Sequence, residues 1–214
     1  MRSTMRVLAL IAGFSLLGAL AGSPSQSARA SDLTGLLWPG SAVERRADVH
    51  GRAVSVGTLA DRIAVVAFVS TGCTILCVTR TMDLDRLARG LPGSLRGRVV
   101  FLAIDTDPAA DDAARLRAFA ESLVGPEPHL HVLTADAATT RVMADALRYP
   151  ATALPEPPPT ILLFDRRGQV AMTYGGDPLD APRLLRDIAT LDTFTQGLGR
   201  PSATAPGSSS QPAR

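Results

Sequence analysis

Four short apolar runs along the sequence predict four buried strands. The run over residues 99–104 is too short for a typical helix and carries several β-branched residues, which favours a buried parallel strand. Strands are also predicted at residues 63–70, 130–133 and 160–165. Apolar runs of this kind indicate a sheet that is covered on both faces.

Between these strands, apolar residues recur at helical spacing and predict four helices. Asp107-Pro108 is typical of a helix entrance and precedes the second of them. The core positions are Met82, Leu84 and Leu87 in the first helix, Leu116, Phe119, Ala120 and Leu123 in the second, Val142, Met143, Ala146 and Leu147 in the third, and Leu184, Leu185, Ile188 and Leu191 in the fourth.

Two hairpins complete the predicted order. Residues 48–56 suggest two short strands around a turn at His50-Gly51, and residues 166–168 form the turn into a last strand over residues 169–174. Residues 31–43 are predicted to be an extended lead-in whose packing contacts are Leu36, Leu37 and Trp38. The order β-β-α-β-α-β-α-β-β-α predicts one α/β sandwich with a mixed sheet.

The chain contains two cysteines, Cys73 and Cys77, in the segment TGCTILC that directly follows the strand predicted at residues 63–70. A turn containing glycine and then a helix would place both thiols at the carboxyl end of that strand, on one face of the first helical turns. A pair of thiols in this position suits redox or metal chemistry.

The amino-terminal segment predicts export from the cytoplasm. Arg2 and Arg6 accompany an uncharged apolar run over residues 7–20, and an Ala-x-Ala cleavage signal follows at residues 28–30. An uncleaved membrane anchor is the alternative, but the run is shorter than the roughly 18 to 20 apolar residues of a spanning helix. We expect residues 1–30 to be a signal peptide, and the mature protein to be periplasmic or otherwise extracytoplasmic with no stable membrane span.

Export affects how the two thiols are interpreted, because disulfides persist in the oxidising space outside the cytoplasmic membrane. Residues 31–196 are enough to form a single hydrophobic core that is stable without a disulfide. A structural disulfide between Cys73 and Cys77 would close a very short loop, which gains little stability in the chain-entropy model. Reactive chemistry is therefore favoured over a purely structural bond.

The composition narrows the classes of partner. The formal net charge is +2, and no run of basic residues interleaved with aromatic residues occurs, so a nucleic-acid partner is not supported. Residues 197–214 consist mainly of glycine, serine, proline and alanine, and we expect them to form a disordered tail.

The order of elements, the dithiol at a strand-to-helix junction and the apolar passage that begins at Pro159 together resemble the thioredoxin superfamily. In that superfamily a cis-proline faces the active-site cysteines. The resemblance implies a thioredoxin-like sandwich with a mixed central sheet flanked by helices. It also marks Pro159 as an active-site residue and as the candidate for a cis bond after Pro158. A proline-rich loop that caps a strand is the alternative.

Within that superfamily the chain is similar to the Sco/SenC family of copper-handling proteins. The resemblance rests on the Cys-x-x-x-Cys motif with residues 79–87 after it, Asp-Thr-Asp-Pro at 105–108, residues 115–120, Leu133-Thr134 and residues 165–168. It covers most of the mature chain. It implies that Cys73 and Cys77 bind copper and that the partner is a cysteine-containing client protein, the copper centre of a respiratory oxidase.

The chain departs from the family pattern in two places. Val78 stands where family members usually have a proline, and the place of a copper-binding histidine falls near Pro157, with no histidine between His131 and the carboxyl terminus. Two thiolates are soft ligands that still suit Cu(I), whereas Cu(II) needs more nitrogen or oxygen donors. His129 and His131 are candidate substitutes, but surface or half-buried histidines are the favoured interpretation.

Redox chemistry does not need the histidine. Cys73, at or just before the start of a helix, should have its thiolate stabilised by the helix dipole and by free backbone N–H groups, so it is the predicted nucleophile. Cys77 would be the resolving thiol that attacks the mixed disulfide formed by Cys73. Asp105 and Asp107 could tune the reduction potential, although a strand end and a helix cap are the favoured interpretations.

Three hypotheses about function follow from this pattern. The first is an exported Sco-like thiol-disulfide oxidoreductase that acts in copper-site assembly through Cys73 and Cys77. The second is a copper chaperone in which the two cysteines and a further ligand hold the metal. The third is a binding module without catalysis, in which the cysteines form a structural disulfide.

Overall fold

Helices and strands alternate along the chain much as the apolar pattern predicts. The computed structural model describes residues 32–39, 45–175 and 178–194, so the predicted signal peptide and carboxyl-terminal tail lie outside the described residues. The elements are α1 (Leu33–Leu37), β1 (Arg45–Ala47), β2 (Ala53–Ser55), α2 (Val56–Leu59), β3 (Ile63–Val69), α3 (Ile75–Arg89), β4 (Val99–Asp105), α4 (Ala113–Val124), β5 (His131–Leu133), α5 (Ala137–Leu147), β6 (Thr160–Phe164), β7 (Val170–Gly175) and α6 (Ala181–Asp192).

Five of the strands form one mixed sheet in the order β5-β4-β3-β6-β7. Strand β3 runs parallel to β4, with Ile63 opposite Val99 and Val69 opposite Asp105, and β4 runs parallel to β5. Strands β6 and β7 complete the sheet in antiparallel pairing. Strands β1 and β2 form a separate antiparallel hairpin. The predicted mixed sheet is confirmed.

Each face of the sheet carries its own hydrophobic layer, because side chains alternate along a strand. Ile63 and Val65 of β3 face the layer built by α3, α4 and α6, whereas Ala64 and Val66 face the layer built by α1 and α5. All seven residues of β3 and all seven of β4 are buried. These two strands therefore form the centre of a helix-sheet-helix sandwich, as predicted.

The segment before β1 differs from the prediction. It forms α1 rather than an extended lead-in, because Asp32 Oδ1 accepts a hydrogen bond from the Gly35 N–H at 2.6 Å and caps the helix. The predicted packing contacts of this segment are buried, namely Leu36, Leu37 and Trp38. The residues were correctly assigned to the core, but the local cap decided the backbone conformation.

The first hairpin is also displaced from its predicted position. Asp48 and Val49 lie in the turn between β1 and β2 and not in a strand. Asp48 causes this arrangement, because its Oδ1 accepts hydrogen bonds from the backbone N–H groups of His50 at 2.9 Å and Arg52 at 2.8 Å. A carboxylate that binds the backbone two and four residues further on favours a turn over a strand.

The same carboxylate joins the hairpin to the main sheet. Asp48 Oδ2 accepts hydrogen bonds from Arg52 Nε at 2.5 Å and pairs with His131 Nδ1 of β5 at 2.8 Å. Burial by itself would raise the pKa of Asp48, but the hydrogen bonds from His131 and Arg52 outweigh burial and lower the pKa to about 2. The ionised carboxylate is thus a structural link between two parts of the fold.

No helix among residues 32–39, 45–175 and 178–194 has the length and apolar character needed to span a bilayer.

We expect Asp48→Ala to lower the free energy of unfolding at pH 7 by about 2–4 kcal/mol, because it leaves buried donors without an acceptor. Since the pKa of Asp48 is depressed, its contribution is present above the ordinary value of 3.8 and is lost as pH falls through about 2. Urea unfolding at pH 7 and at pH 3 measures both effects.

Asp83→Ala is the matched control, since Asp83 forms an exposed pair with Arg86 at 2.7 Å within α3 and should change stability by less than about 1 kcal/mol. Equal effects of the two substitutions at pH 7 would contradict the role given to Asp48.

Candidate redox site

The site begins where β3 ends. After Val69 the chain makes a four-residue turn from Ser70 to Cys73, closed by a hydrogen bond from the Cys73 N–H to the Ser70 carbonyl at 3.3 Å. The adjacent strand β4 ends at the same edge, and the Thr106 N–H donates to the Val69 carbonyl at 2.9 Å. Parallel pairing therefore places the loops after β3 and β4 side by side.

Helix α3 begins directly after this turn. Thr74 is its N-cap residue, and Cys77 is the third residue of its first turn. Thr74 makes no side-chain capping bond to the helix, so backbone N–H groups of the first turn have no acceptor from that side chain. Cys73 lies just before the helix, as predicted.

Cys73 and Cys77 form a disulfide, with their Cα atoms 5.9 Å apart. The two residues differ in accessibility: Cys73 is half-buried, whereas Cys77 is 6% exposed and packs within the core layer on the α3 side. Ile75 lies between them and is 77% exposed, which is unusual for a large apolar side chain in this fold. Cys73 is thus the more accessible of the two cysteines and lies two positions before an exposed apolar residue, whereas Cys77 is protected.

The proline-rich segment approaches the dithiol, but not through the predicted residue. The cis peptide bond joins Leu154 to Pro155, so the prediction of a cis bond before Pro159 is wrong. The Pro155 carbonyl accepts a hydrogen bond from Thr106 Oγ1 at 2.8 Å. Pro159 is exposed and directly precedes β6. The cis-proline lies four residues before the position that the resemblance implied.

Glu156 is a site residue that sequence reasoning missed. Its Oε1 accepts a hydrogen bond from Oγ1 of Thr74, the residue that follows Cys73, at 2.9 Å. Tyr149 donates to the Glu156 carbonyl at 3.1 Å and holds the segment in place. Glu156 precedes Pro157, near which the family histidine was expected, so its position in the sequence was the available signal.

The two candidate histidines lie elsewhere. His131 is opposite Leu102, which is opposite Val66, so it is two strands away from β3 and about 10 Å short of the end of that strand. His129 lies 3.9 Å from the carboxylate of Asp85. The favoured interpretation, that neither histidine serves the thiols, agrees with this placement.

The side chains of the site can be compared with the ligands that copper requires. Among the described residues, no group of three histidine, cysteine, aspartate or glutamate side chains is arranged to hold a metal ion. Once reduced, Cys73 and Cys77 would supply two soft thiolates, which suit Cu(I) at low coordination. The nitrogen or oxygen donors that Cu(II) requires do not complete a site here, so the residues fit Cu(I) and not Cu(II).

Asp105 and Asp111 form the electrostatic part of the site. Asp111 Oδ2 accepts the backbone N–H of Thr71 at 2.8 Å, and its Oδ1 accepts the Thr71 hydroxyl. Asp105 is fully buried at the end of β4, and burial, reinforced by the negative charge of Asp111, raises the pKa of Asp105 to about 6. Asp105 was predicted either to end a strand or to tune the reduction potential, with the strand end favoured, and Asp111 was not singled out.

Asp107 does not cap a long helix, contrary to the favoured interpretation. Its Oδ1 accepts the N–H of Ala110 at 3.2 Å within a turn, and α4 begins later, capped by Asp112, whose side chain accepts the N–H of Arg115. The extra turn displaces the helix start by several residues, because Asp112 offers a better-placed acceptor for the first free N–H groups.

Sheet order, parallel pairing of β3 with β4 and a disulfide that joins the turn after β3 to the first turn of α3 define a thioredoxin-like fold. The SCO1/SenC family model matches residues 45–191, more than half of the chain. The chain therefore belongs to the SCO1/SenC family, and the predicted family is confirmed. Comparison with curated proteins found no match.

Several solved structures share the fold. ScoI of Bradyrhizobium japonicum with copper bound is 21% identical, with a TM-score of 0.54 over 69% of this chain and 96% of that one. Yeast Sco1 is 17% identical, with a TM-score of 0.56 over 72% and 95%. A SCO1/SenC family lipoprotein from Bacillus anthracis is 19% identical, with a TM-score of 0.54 over 69% and 91%. At these identities the likeness establishes the fold.

After reduction, we expect iodoacetamide to alkylate Cys73 at least about tenfold faster than Cys77, because Cys73 is the accessible residue and lies where a thiolate is stabilised. Mass spectrometry of the two labelled positions over time gives both rates. In urea the two rates should converge, since the difference comes from the fold. Faster labelling of Cys77 in the folded protein would contradict the assignment of nucleophile and resolving thiol.

Proposed function

We propose that this protein is an exported Sco-like thiol-disulfide oxidoreductase that acts in copper-site assembly through Cys73 and Cys77. The observation that carries the proposal is the disulfide itself, which has one half-buried sulfur at a helix start and one sulfur in the core. A disulfide that closes so short a loop adds little stability, so its position is better explained by exchange chemistry.

The reaction begins with the reduced protein. The Cys73 thiolate attacks one sulfur of a client disulfide, a mixed disulfide forms, and the other client sulfur leaves as a thiolate. Cys77 then loses its proton and attacks Cys73, which breaks the mixed disulfide and releases the second client thiolate. Two electrons pass to the client, two protons complete its thiols, and the protein ends as the Cys73–Cys77 disulfide. A dithiol reductant must then restore the reduced form.

Local features support an exchange of this kind. The exposed side chain of Ile75 offers an apolar contact next to Cys73 for a client segment. Burial of Cys77 keeps the resolving thiol away from other oxidants until the mixed disulfide forms beside it. Family membership points to the client, a cysteine-containing copper-site protein such as a respiratory oxidase subunit.

A copper chaperone is the second candidate function. It is favoured by the copper-bound structures of ScoI from Bradyrhizobium japonicum and from Arabidopsis thaliana. In this chain the cargo would be Cu(I) held by the two thiolates, since no third ligand completes a site among the described residues. The copper would be substrate to be passed on, and exchange of the disulfide would have to come first.

The place of action in this proposal is extracytoplasmic. The Arg-flanked apolar run and the Ala-x-Ala signal at residues 28–30 support export, and one relative in the family is described as a lipoprotein. A disulfide between Cys73 and Cys77 is compatible with an oxidising compartment.

The reduction potential separates exchange from a structural bond. We expect the Cys73–Cys77 couple to lie above about −300 mV, where labile and catalytic disulfides are found. Equilibration with glutathione or dithiothreitol buffers measures it. In parallel, reduced Cys77→Ser should accumulate a mixed disulfide with an oxidised peptide that carries one disulfide, because the resolving thiol is missing. Cys73→Ser is the matched control and should not trap the peptide.

A potential well below about −300 mV together with no trapped peptide would identify the third hypothesis, a binding module with a structural disulfide.

Metal titration separates the two copper states. Reduced protein should bind one Cu(I) per chain in competition with a colorimetric chelator, and Cys77→Ser should weaken that binding by at least about a hundredfold, because one of two thiolates is lost. Cu(II) should form no stable one-to-one complex with strong sulfur charge-transfer absorption. The appearance of that absorption would favour the chaperone with a further ligand over the oxidoreductase.

A further inference from the structure

The turn that carries Cys73 is held from outside the dithiol. Thr71 and Gly72 are the central residues of the turn from Ser70 to Cys73, and Asp111 accepts both the N–H and the hydroxyl of Thr71. Each oxygen of the Asp111 carboxylate thus accepts one of these bonds. A side chain from the loop after β4 fixes the backbone two residues before the predicted nucleophile.

Next to Asp111 lies the carboxyl group of Asp105, one oxygen of which has no donor among the described residues. Asp105 is 0% exposed, and its Oδ1 accepts the N–H of Asp107 at 2.9 Å. Its Oδ2 is buried and has no hydrogen-bond partner among the described residues. The side chain of Asp111 and the backbone of Ala135 are the other neighbours of Asp105. If both groups were ionised, an unpaired oxygen and two like charges would be buried together, which is costly.

A proton on Asp105 removes that cost. Protonated Oδ2 donates a hydrogen bond to the ionised Asp111, which keeps its two bonds to Thr71. The like charge is removed at the same time, and O–H···O⁻ bonds between a carboxylic acid and a carboxylate are strong. The geometry therefore favours one proton shared by the two side chains.

We propose that Asp105 and Asp111 share one proton. This proton controls the conformation of the turn from Ser70 to Cys73 and the negative charge near Cys73. Asp111 is therefore a positioning residue, and the pair makes the site sensitive to pH. The shared proton is a property of the folded chain and does not depend on the proposed exchange function. Only the effect of the proton on the chemistry of Cys73 rests on that function. When the proton is lost, a second buried negative charge appears, which opposes the thiolate of Cys73 and loosens the hold on Thr71.

The other contacts of Asp105 are with backbone N–H groups, so Asp111 is its side-chain partner. Asp111 is the charged side chain that acts on it, and the second backbone contact is the N–H of Ala135, at the approach to α5. The next carboxylate there, Asp136, caps α5 and interacts with Arg46. Burial is the largest influence on Asp105 and raises its pKa to about 6; the N–H of Asp107 opposes this shift, and the negative charge of Asp111 adds to it.

The first experiment follows the side-chain carboxyl signals by ¹³C NMR in the oxidised full chain. We expect Asp105 to titrate near pH 6, and to titrate at clearly lower pH in Asp111→Asn, because the neighbouring negative charge is gone. Titration of Asp105 near its ordinary value of 3.8, or no change in Asp111→Asn, would overturn the proposal.

The second experiment measures the rate of Cys73 alkylation in reduced protein between pH 5 and pH 9. In the unchanged chain the logarithm of the rate should rise with a slope below one around pH 6, because the new charge opposes the thiolate. Asp105→Asn keeps an N–H donor for Asp111 without the titration, so it should remove that inflection and raise the rate at pH 8 by about three- to tenfold.

Asp112→Asn is the matched control, because Asp112 is an exposed carboxylate next to Asp111 that caps α4, and asparagine caps equally well. It should leave both titrations unchanged. An inflection that persists in Asp105→Asn, or one that Asp112→Asn also removes, would refute the role of the pair.

The pH dependence of the free energy of unfolding tests the shared proton without measuring the reactivity of a thiol. The folded pKa of Asp105 is raised above 3.8, so its proton stabilises the fold fully below pH 4, and this contribution is lost as pH rises through about 6. The urea midpoint should fall over that window in the unchanged chain relative to Asp105→Asn. If the pair behaves as described but no client disulfide is exchanged, only the proposed function fails; if exchange persists without the titration, only this inference fails.

Discussion

The parallel pairing of β3 with β4 is the constraint on which the site depends. Because Val69 lies opposite Asp105, both strands end at the same edge of the sheet, and the loops that follow them lie side by side. The N–H of Thr106 bonds to the Val69 carbonyl, and Asp111 bonds to Thr71. A dithiol, a buried carboxyl pair and the proline-rich segment meet at this edge although up to 83 residues separate Cys73 from Glu156.

The same pairing explains why the two sulfurs differ. Cys73 ends the turn after β3 and is half-buried, whereas Cys77 lies in the first turn of α3 and is buried in the core layer. Accessibility and burial are thus divided between residues only four positions apart. That division suits a stepwise exchange, since the first attack needs contact with a client and the second needs only a neighbouring sulfur.

The chain has the family fold, and carboxyl groups lie in the loops around its dithiol. Near the expected histidine position it has Pro157, preceded by Glu156, which contacts Thr74 next to Cys73. At the end of β4 and in the loop after it lie two buried carboxyl side chains, Asp105 and Asp111, of which Asp105 is fully buried. Carboxylates are harder ligands than imidazole and are poorly matched to Cu(I), but they move protons and hold backbone N–H groups well.

Local patterns determined much of this protein. The apolar runs predicted the strands of the main sheet, because a strand buried on both faces must be apolar throughout, and the position of Cys73 before α3 followed from the strand that precedes it. Caps were harder to predict: Asp32 turned the lead-in into α1, and Asp112 rather than Asp107 began α4, because several carboxylates compete and short hydrogen bonds decide.

Tertiary structure decided the rest of the site. The contacts of Asp111 with Thr71, of Glu156 with Thr74 and of His131 with Asp48 join residues 40 to 83 positions apart, and no local pattern encodes them. The burial of Asp105, and hence its retained proton, also depends on which loops cover the end of β4. The sequence by itself determined the positions of the sulfur and carboxyl groups along the chain. Only packing determined which of these groups contact each other, because burial and pairing arise when distant segments meet.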